Sequence, residues 1–445
     1  MARFGVGFGG RRARQDAAPA AIATSRTSAP RSGRADAGRR HTHSPSAILV
    51  LVNEQEPLNL GNWLADMYGT RSLQRLDEFR ELLTISRGTG PVRALPVAAV
   101  DLGPLTLTAR SGRTVTFDEH LATSCTEGII VLKDGAVVYE RYLNGLQPDT
   151  RHLLASVTKS VTATLLGIEV GRGPLTRDAL VADVAPEFAG TSVADATVGQ
   201  LVDMTVGTGF EEAHDRLADS DEEPDVVRFM RQSGSLPLDG AAPIGTLGSF
   251  REFDQAYPHG EHFEYRTPLT CVLGRVLEVA TGRPYVELVS ERLWSRIGAE
   301  HDAAITVDTA GFPFTGGGMT ATLRDIARYG LSHLENGAVD GTQIIPADWI
   351  ASTRDGSDAT RRAFAASPTL ADEDRAAWSE YRNAFWVVEP GKIYEALGLF
   401  GQVCRINTET NTVITRFSAQ PMLERTAIGF ETYRAHAAIE AALAA

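Results

Sequence analysis

Lysine is scarce in this sequence of 445 residues: Lys133, Lys159 and Lys392 are the only three, and the other basic side chains are arginines and histidines. Basic residues are also outnumbered, because 43 Lys and Arg stand against 56 Asp and Glu, for a formal charge of −13. Residues 1–44 hold nine arginines and two aspartates, so the acidity belongs to the rest of the chain. An acidic body argues against a nucleic-acid partner.

Cysteine and long apolar runs are scarce as well. Cys125, Cys271 and Cys404 are far apart and match no metal or redox spacing, so we expect free thiols in a reducing compartment. No run approaches the roughly 20 apolar residues of a membrane span. The arginine-rich start is followed by no apolar segment of the kind that a signal peptide needs. We therefore expect a cytoplasmic protein without a membrane partner.

A Gly-x-Ser-x-Gly motif is also absent, which removes support for an α/β-hydrolase site. Residues 1–45 are rich in Gly, Ala, Arg and Ser without a periodic apolar face, and are predicted to be a disordered basic tail. Strand patterns at both ends of the rest, with helical patterns between them, predict an α/β (α+β) fold. We expect one antiparallel sheet flanked by helices (about 46–175 and 296–445) with an inserted, mainly helical subdomain (about 176–295).

The local patterns give the individual elements. Ile129–Leu132 and Val137–Tyr139 surround an Asp-Gly pair and predict a β-hairpin. Four more strands are predicted near the C-terminus, at 385–388, 392–397, 403–406 and 413–417. Helical spacing of apolar residues predicts helices at 157–170, 197–204, 269–281, 322–335 and 433–443.

The chemistry-bearing motif is Ser156-Val157-Thr158-Lys159, at the start of a predicted helix. Residues three apart lie on one helix face, so the Lys159 amine is expected beside the Ser156 hydroxyl. Burial without a carboxylate partner disfavours the charged form of a lysine, which could then accept the serine proton. The Ser156 N–H, unpaired at a helix start, could stabilise an oxyanion. The alternative is a surface helix with a serine cap and a solvated lysine.

Several ordered motifs resemble the serine β-lactamase-like superfamily, over about residues 46–445. They include Thr126–Gly135, Tyr139–Tyr142, Arg151–Ser160 and Leu201–Thr205, and further stretches at 316–330 and 394–402. The closest branch is that of the 6-aminohexanoate-dimer (nylon-oligomer) hydrolases, class C β-lactamases and family VIII esterases. The resemblance implies a β-lactamase/transpeptidase-like fold and acyl transfer through a serine, without a metal or an organic cofactor.

The family's Tyr-x-Asn or Tyr-x-Ser motif matches Tyr265-Arg266-Thr267. The resemblance implies that Tyr265 shares proton transfer with Lys159, since a phenol beside a cation can shuttle protons. Thr267 keeps a hydroxyl but lacks the amide, and is a candidate substrate contact.

The family's Lys-Thr-Gly motif corresponds to Ala396-Leu397-Gly398, so the cation that would hold a substrate carboxylate is missing. The resemblance implies that Leu399 supplies the second oxyanion N–H. Gly398 is a candidate substrate contact beside it. Phe400, also a candidate substrate contact, stands where the nylon-oligomer hydrolases have histidine.

Two further aromatic residues are candidate substrate contacts. Phe210 stands where the nylon-oligomer hydrolases have a tyrosine that contacts the substrate amide. Trp386 could line the pocket, although core packing is the alternative for a lone aromatic residue.

The sequence therefore predicts a serine hydrolase that cleaves a small-molecule ester or linear amide, with the ester favoured and a homodimer possible. Two alternatives stay open. One is a β-lactamase or D-alanyl-D-alanine peptidase, against which Ala396 argues. The other is a non-catalytic binding or sensor protein of the same fold.

Overall fold

The computed structural model describes residues 57–64, 71–109, 111–212, 223–421 and 425–444. The basic tail predicted at 1–45 lies outside these residues. The strands are β1 Leu82–Ile85, β2 Thr106–Thr108, β3 Thr114–Thr116, β4 Thr126–Lys133, β5 Ala136–Tyr142, β6 His152–Leu153, β7 Ala303–Thr306, β8 Met319–Ala321, β9 Ala338–Val339, β10 Thr342–Gln343, β11 Glu380–Arg382, β12 Phe385–Glu389, β13 Ile393–Gly398, β14 Gln402–Asn407 and β15 Thr412–Ser418.

The α-helices are α1 Arg71–Gln74, α2 Phe117–Thr123, α3 Val157–Arg172, α4 Val181–Val184, α5 Val198–Val202, α6 Asp225–Gln232, α7 Gly245–Phe250, α8 Thr267–Thr281, α9 Tyr285–Val289, α10 Leu323–Leu334, α11 Ala347–Asp355, α12 Asp358–Ala365, α13 Asp372–Ala377 and α14 Arg425–Ala444. A π-helical turn spans Ser290–Trp294, and 3₁₀ turns span Leu76–Glu78, Pro186–Phe188 and Leu399–Gly401. The predicted helices are confirmed with small shifts of their ends, except that the last one begins at Arg425 rather than at residue 433.

The main sheet has seven antiparallel strands in the order β11-β12-β13-β14-β15-β4-β5. The β4–β5 hairpin turns at Asp134 and Gly135, whose φ angles of +52° and +80° suit a two-residue hairpin turn. The last strand of the chain, β15, pairs with β4 and so joins the C-terminal strands to the early hairpin. The six predicted C-terminal and hairpin segments are thus confirmed as one sheet.

Both faces of this sheet are covered, which explains why β4 is apolar at successive positions. Ile130 and Leu132 belong to the main core, together with residues of α3 and α10. Ile129 and Val131 point to the other face and pack in a second cluster with Ala435 of α14. Alternate residues of a strand face opposite sides, so a doubly covered strand loses the polar half of its pattern.

A second sheet, of four strands in the order β1-β7-β8-β6, corrects the expectation of a single sheet. Its strands are short, and they pair residues that are far apart in the sequence, such as Leu82 and Thr306. Such short pieces carry too little alternation to be recognised one at a time. The two-residue strand β6 matters for the site because it leads directly into Ser156.

Helix α3 is buried on all sides, with every residue from Val157 to Glu169 buried. This burial makes it the central helix of the molecule. It ends at Gly173, whose φ of +97° is typical of a glycine after a helix. Between residues 176 and 295, the described secondary structure consists of helices and isolated β-bridges. None of the helices in the described ranges is both long and apolar enough to cross a bilayer.

Acid should destabilise the fold through His333, which is 1% exposed and lies 3.1 Å from Thr164 Oγ1 through its Nε2. Burial lowers the pKa of His333 from 6.5 to about 3. The unfolded chain therefore takes up this proton first as the pH falls below 6.5. We expect this histidine to lower the free energy of unfolding by up to about 1.4 kcal/mol per pH unit between pH 6.5 and 3.

Urea unfolding of wild type and His333→Gln at several pH values measures this effect. The wild-type curve should fall more steeply toward acid than the curve of the variant. Tyr329→Phe is the control, because it removes another hydroxyl bonded to Thr164 but keeps the histidine. It should shift the stability without changing the acid slope, and equal slopes for wild type and His333→Gln would contradict the prediction.

Candidate active site

Ser156 lies where the short strand β6 passes into α3. The Leu154 N–H donates to the Met319 carbonyl (2.9 Å), which continues the strand pairing to within two residues of the serine. Ala155 then adopts φ +45°, an uncommon conformation for a residue with a Cβ, and turns the chain from strand to helix in one step. Within the described ranges, the Ser156 N–H has no hydrogen-bond acceptor, as expected at a helix start.

Lys159 is fully buried, and its Nζ donates to Ser156 Oγ (2.8 Å) and to the Gly316 carbonyl (2.6 Å). The helical spacing predicted from the sequence therefore brings the two groups together. Lys133 and Lys392 form ion pairs with carboxylates. Lys159 forms none within the part of the chain that the structure describes, so its amine is surrounded by neutral oxygen atoms. The Gly316 carbonyl is a contact that the sequence analysis did not identify.

Tyr265 is the third member of the group, and its ring centroid lies 5.0 Å from Lys159 Nζ. The half-buried Trp386 stacks on this ring at 5.7 Å with 20° between the planes. Tyr381 meets the same ring edge-on at 5.8 Å. The structure thus brings three of the predicted residues together beside Ser156: Lys159, Tyr265 and Trp386. The stacked rings of Tyr265 and Trp386 form an aromatic wall there.

The buried side chain of Arg266 fixes the backbone next to Tyr265. Its Nε donates to the Phe210 carbonyl (2.6 Å), and one Nη donates to the Val206 carbonyl (3.0 Å) and to the Tyr257 hydroxyl (2.5 Å). Burial lowers the pKa of this guanidinium. The arginine in the middle of the Tyr-x-Thr motif therefore binds backbone carbonyls and a tyrosine hydroxyl inside the protein, and does not face the substrate.

Thr267 begins α8 and forms hydrogen bonds to a carboxylate. Its hydroxyl donates to Glu212 (2.6 Å), and its N–H donates to the other oxygen of the same carboxylate. The Thr267 methyl group would lie 2.7 Å from a Cβ at Gly316, so this glycine lets two segments of the site touch. Glu212 was missed in the sequence because its acidic surroundings are typical of a solvated loop.

Gly398 ends β13 beside the segment that leads to the nucleophile. A Cβ at this position would lie 2.3 Å from the Leu154 carbonyl oxygen, so only glycine allows this approach. Leu399 follows at the start of the 3₁₀ turn Leu399–Gly401. The predicted pair of N–H donors, Ser156 and Leu399, therefore comes from two segments that touch two residues before Ser156 and one residue before Leu399.

Two residues predicted to contact substrate are enclosed by other side chains instead. Phe210 is 1% exposed and packs edge-on against Phe229 and Phe253. Phe400 is 3% exposed and packs edge-on against Trp63. Both assignments came from alignment with family positions that carry polar residues. Because phenylalanine has no polar group to leave in a cleft, it turns into the neighbouring core.

His152 and Glu127 form a fully buried pair, with 2.5 Å between Nε2 and Oε2. The other carboxylate oxygen accepts a hydrogen bond from Gln74 (2.6 Å), and the other ring nitrogen lies 2.8 Å from the Leu153 carbonyl. This network ties β4 to β6, four residues before Ser156. His152 therefore has a structural role in the segment that leads to Ser156.

An antiparallel sheet, a buried central helix that begins with Ser-x-x-Lys, and a tyrosine beside that lysine together define the serine β-lactamase and transpeptidase class. The beta-lactamase family model matches residues 126–438, and the chain belongs to the beta-lactamase family. The predicted fold class and resemblance are confirmed. The chain is a member of a superfamily of serine hydrolases.

Three relatives show where the chain lies within this family. The chain is 30% identical over 367 residues to 6-aminohexanoate-dimer hydrolase of Paenarthrobacter ureafaciens, which covers 81% of this chain and 88% of the relative. A solved structure from Bacillus anthracis, described as a candidate 6-aminohexanoate-dimer hydrolase, superposes with a TM-score of 0.79 at 25% identity and covers 88% of this chain and 98% of its own. Esterase EstB of Burkholderia gladioli is 30% identical over 221 residues, which is 44% of this chain and 51% of the esterase.

Gly398→Ala tests the close approach of β13 to the nucleophile segment. Its new Cβ would meet the Leu154 carbonyl at 2.3 Å, so one of the two segments must move. We expect kcat for an activated ester to fall about 10- to 100-fold, as small displacements at a reacting centre do. Gly429→Ala in α14 is the control, since its Cβ meets nothing within 4 Å. The control should keep wild-type kcat, and unchanged kcat in Gly398→Ala would contradict the prediction.

Proposed function

We propose that the protein hydrolyses a small carboxylic ester or linear amide through an acyl-enzyme on Ser156. The observation that carries the proposal is the buried Lys159 amine, 2.8 Å from the Ser156 hydroxyl and free of any carboxylate within the described residues. A neutral amine at that distance can take the serine proton. The hydrolase and esterase relatives support the same reaction class.

The reaction proceeds by two acyl transfers. Ser156 Oγ attacks the substrate carbonyl carbon while its proton passes to Lys159, and the tetrahedral intermediate then expels the alcohol or amine. Tyr265, whose ring lies 5.0 Å from Lys159 Nζ, gives its hydroxyl proton to the leaving group and takes the proton held by Lys159 in exchange. Water attacks the resulting ester on Ser156 with the same groups as base and acid. The carboxylic acid leaves, and Ser156 regains its proton.

The N–H groups of Ser156 and Leu399 stabilise the oxyanion in both transfers. Two observations support this assignment. The Ser156 N–H has no acceptor in the part of the chain that the structure describes. Gly398 brings the start of the Leu399–Gly401 turn to the backbone of Leu154, next to the nucleophile.

The surroundings favour an uncharged, partly apolar acyl group. Tyr265 and Trp386 supply a half-buried aromatic wall, and Trp378 extends it with its ring centroid 4.6 Å from that of Trp386. The position aligned with the lysine of the Lys-Thr-Gly motif is Ala396, which is fully buried. A substrate carboxylate therefore has no cation to meet there, and an ester leaving group needs less proton transfer than an amine.

Ser156→Ala and Lys159→Met should each lower the turnover of p-nitrophenyl acetate and butyrate on the order of 10⁴-fold, because the nucleophile and its base act as one unit. Lys133→Met is the matched control, since this lysine pairs with Asp134 at a hairpin turn. A p-nitrophenyl phosphonate should transfer its phosphonyl group to Ser156, with release of p-nitrophenolate, in wild type and Lys133→Met but not in the other two variants. Folded wild-type protein that neither hydrolyses the esters nor forms the adduct would favour the non-catalytic alternative.

Substrate charge and leaving group should set a clear order of kcat/KM. We expect p-nitrophenyl butyrate to exceed butyryl p-nitroanilide about 100-fold, which is the size of a typical general-acid contribution. Nitrocefin carries a carboxylate, and its kcat/KM should be at least about tenfold lower than that of the ester, because the charged hydrogen bond to this carboxylate is missing. Spectrophotometric assays measure all three compounds. Nitrocefin turnover above that of the ester would support the β-lactamase alternative.

A further inference from the structure

Two residues beside the proposed oxyanion donors have strained backbones. Ala155 has φ +45° and immediately precedes Ser156, and Phe400 has φ +67° and immediately follows Leu399. Residues with a Cβ seldom adopt such angles and keep them only where their surroundings hold them. The packing around these two residues is therefore relevant to the orientation of the donors.

One apolar cluster, separate from the main core, encloses both strained residues. We call it the oxyanion-side cluster; its buried members are Trp63, Leu73, Leu76, Leu153, Ala155, Phe400 and Ala419, with Leu64, Phe79, Leu82 and Leu399 packed against them. The residues numbered 63–82 come from the chain before the family match, which begins at residue 126. Residues from outside the matched region thus pack in the same cluster as both strained residues.

Trp63 is the largest side chain in this cluster and is 4% exposed. Its ring meets that of Phe400 edge-on, with 6.3 Å between centroids and 81° between planes, and contacts Phe79 on another side at 6.1 Å. Its Nε1 donates to the Ser235 carbonyl (2.7 Å). The indole is therefore fixed in direction and presses on the side chain of Phe400.

Hydrogen bonds hold the same turn from the sheet. The Gln420 N–H donates to the Phe400 carbonyl (3.0 Å), and Arg416 donates to the Gly401 carbonyl (3.1 Å). These bonds fix the carbonyls but not the side chain of Phe400. The contact with Trp63 restrains this side chain and so opposes relaxation of the turn from its left-handed conformation.

We infer that Trp63 is a positioning residue for the hydrolysis, because its packing on Phe400 keeps the Leu399 N–H directed at the oxyanion. The inference rests on the proposed function. Since acylation and deacylation both pass through an oxyanion, the loss of this restraint lowers kcat whichever step is slower. Ground-state binding against the aromatic wall is not affected, so KM stays close to its wild-type value.

The test compares Trp63→Leu, Phe400→Leu and the double variant with p-nitrophenyl butyrate and with a p-nitrophenyl phosphonate. Each single variant should lose about 10- to 100-fold in kcat and in the rate of phosphonate inactivation, with KM changed less than about threefold. The double variant should lose no more than the worse single one, because both substitutions remove the same contact. Trp63→Phe, which keeps a ring on Phe400, should restore most of kcat.

Trp294→Phe is the matched control, because this buried indole also donates to a backbone carbonyl (His301, 2.9 Å) but packs in the main core. It should lower the melting temperature without lowering kcat. If Trp63→Leu does not fold, Phe400→Leu and Trp63→Phe decide the question by the same criteria. Wild-type kcat in folded Trp63→Leu or Phe400→Leu, or additive losses in the double variant, would overturn the inference. Turnover that survives Ser156→Ala would instead overturn the proposed function itself.

Discussion

The enclosed amine of Lys159 is the constraint around which the site is arranged. An amine removed from water is costly unless its donors are satisfied, and here the partners are the Ser156 hydroxyl and the Gly316 carbonyl, with the Tyr265 ring nearby. A carboxylate would have satisfied the same amine more strongly, as happens at Lys133 and Lys392. The neutral partners keep the lysine amine in place beside the Ser156 hydroxyl.

Meeting this constraint requires segments from distant parts of the chain. Lys159 and Ser156 share one helix, but Gly316 comes from the loop before β8, and Tyr265 precedes α8. Close contact between these segments depends on missing side chains, since a Cβ at Gly316 would collide with Thr267 and one at Gly398 with the Leu154 carbonyl. The four-stranded sheet contributes by holding β6 and β8 together directly before the nucleophile.

The parts of this arrangement that follow local rules could be predicted from the sequence. The Asp-Gly hairpin, the helix that follows Ser156 and the Ser-x-x-Lys spacing each depend on a few neighbouring residues. Contacts between distant segments could not be predicted in this way: Glu212 on Thr267 and Trp63 on Phe400 join residues that no periodicity relates. Family alignment pointed to Tyr265, which lies beside Lys159. It did not predict that Phe210 and Phe400 are buried, because an aligned position does not say which way a changed side chain points.

The chemistry and the selectivity of the site therefore have different physical origins. In the proposed reaction, proton transfer depends on Ser156, Lys159 and Tyr265, which are held by the buried core. Selectivity depends on the surrounding groups, where Ala396 supplies no cation and the Glu212 carboxylate lies against the start of α8. In the proposed reaction, the missing cation gives an anionic substrate no charged partner at the position of Ala396. The proposed selectivity therefore directs the acyl-transfer groups toward uncharged esters and amides.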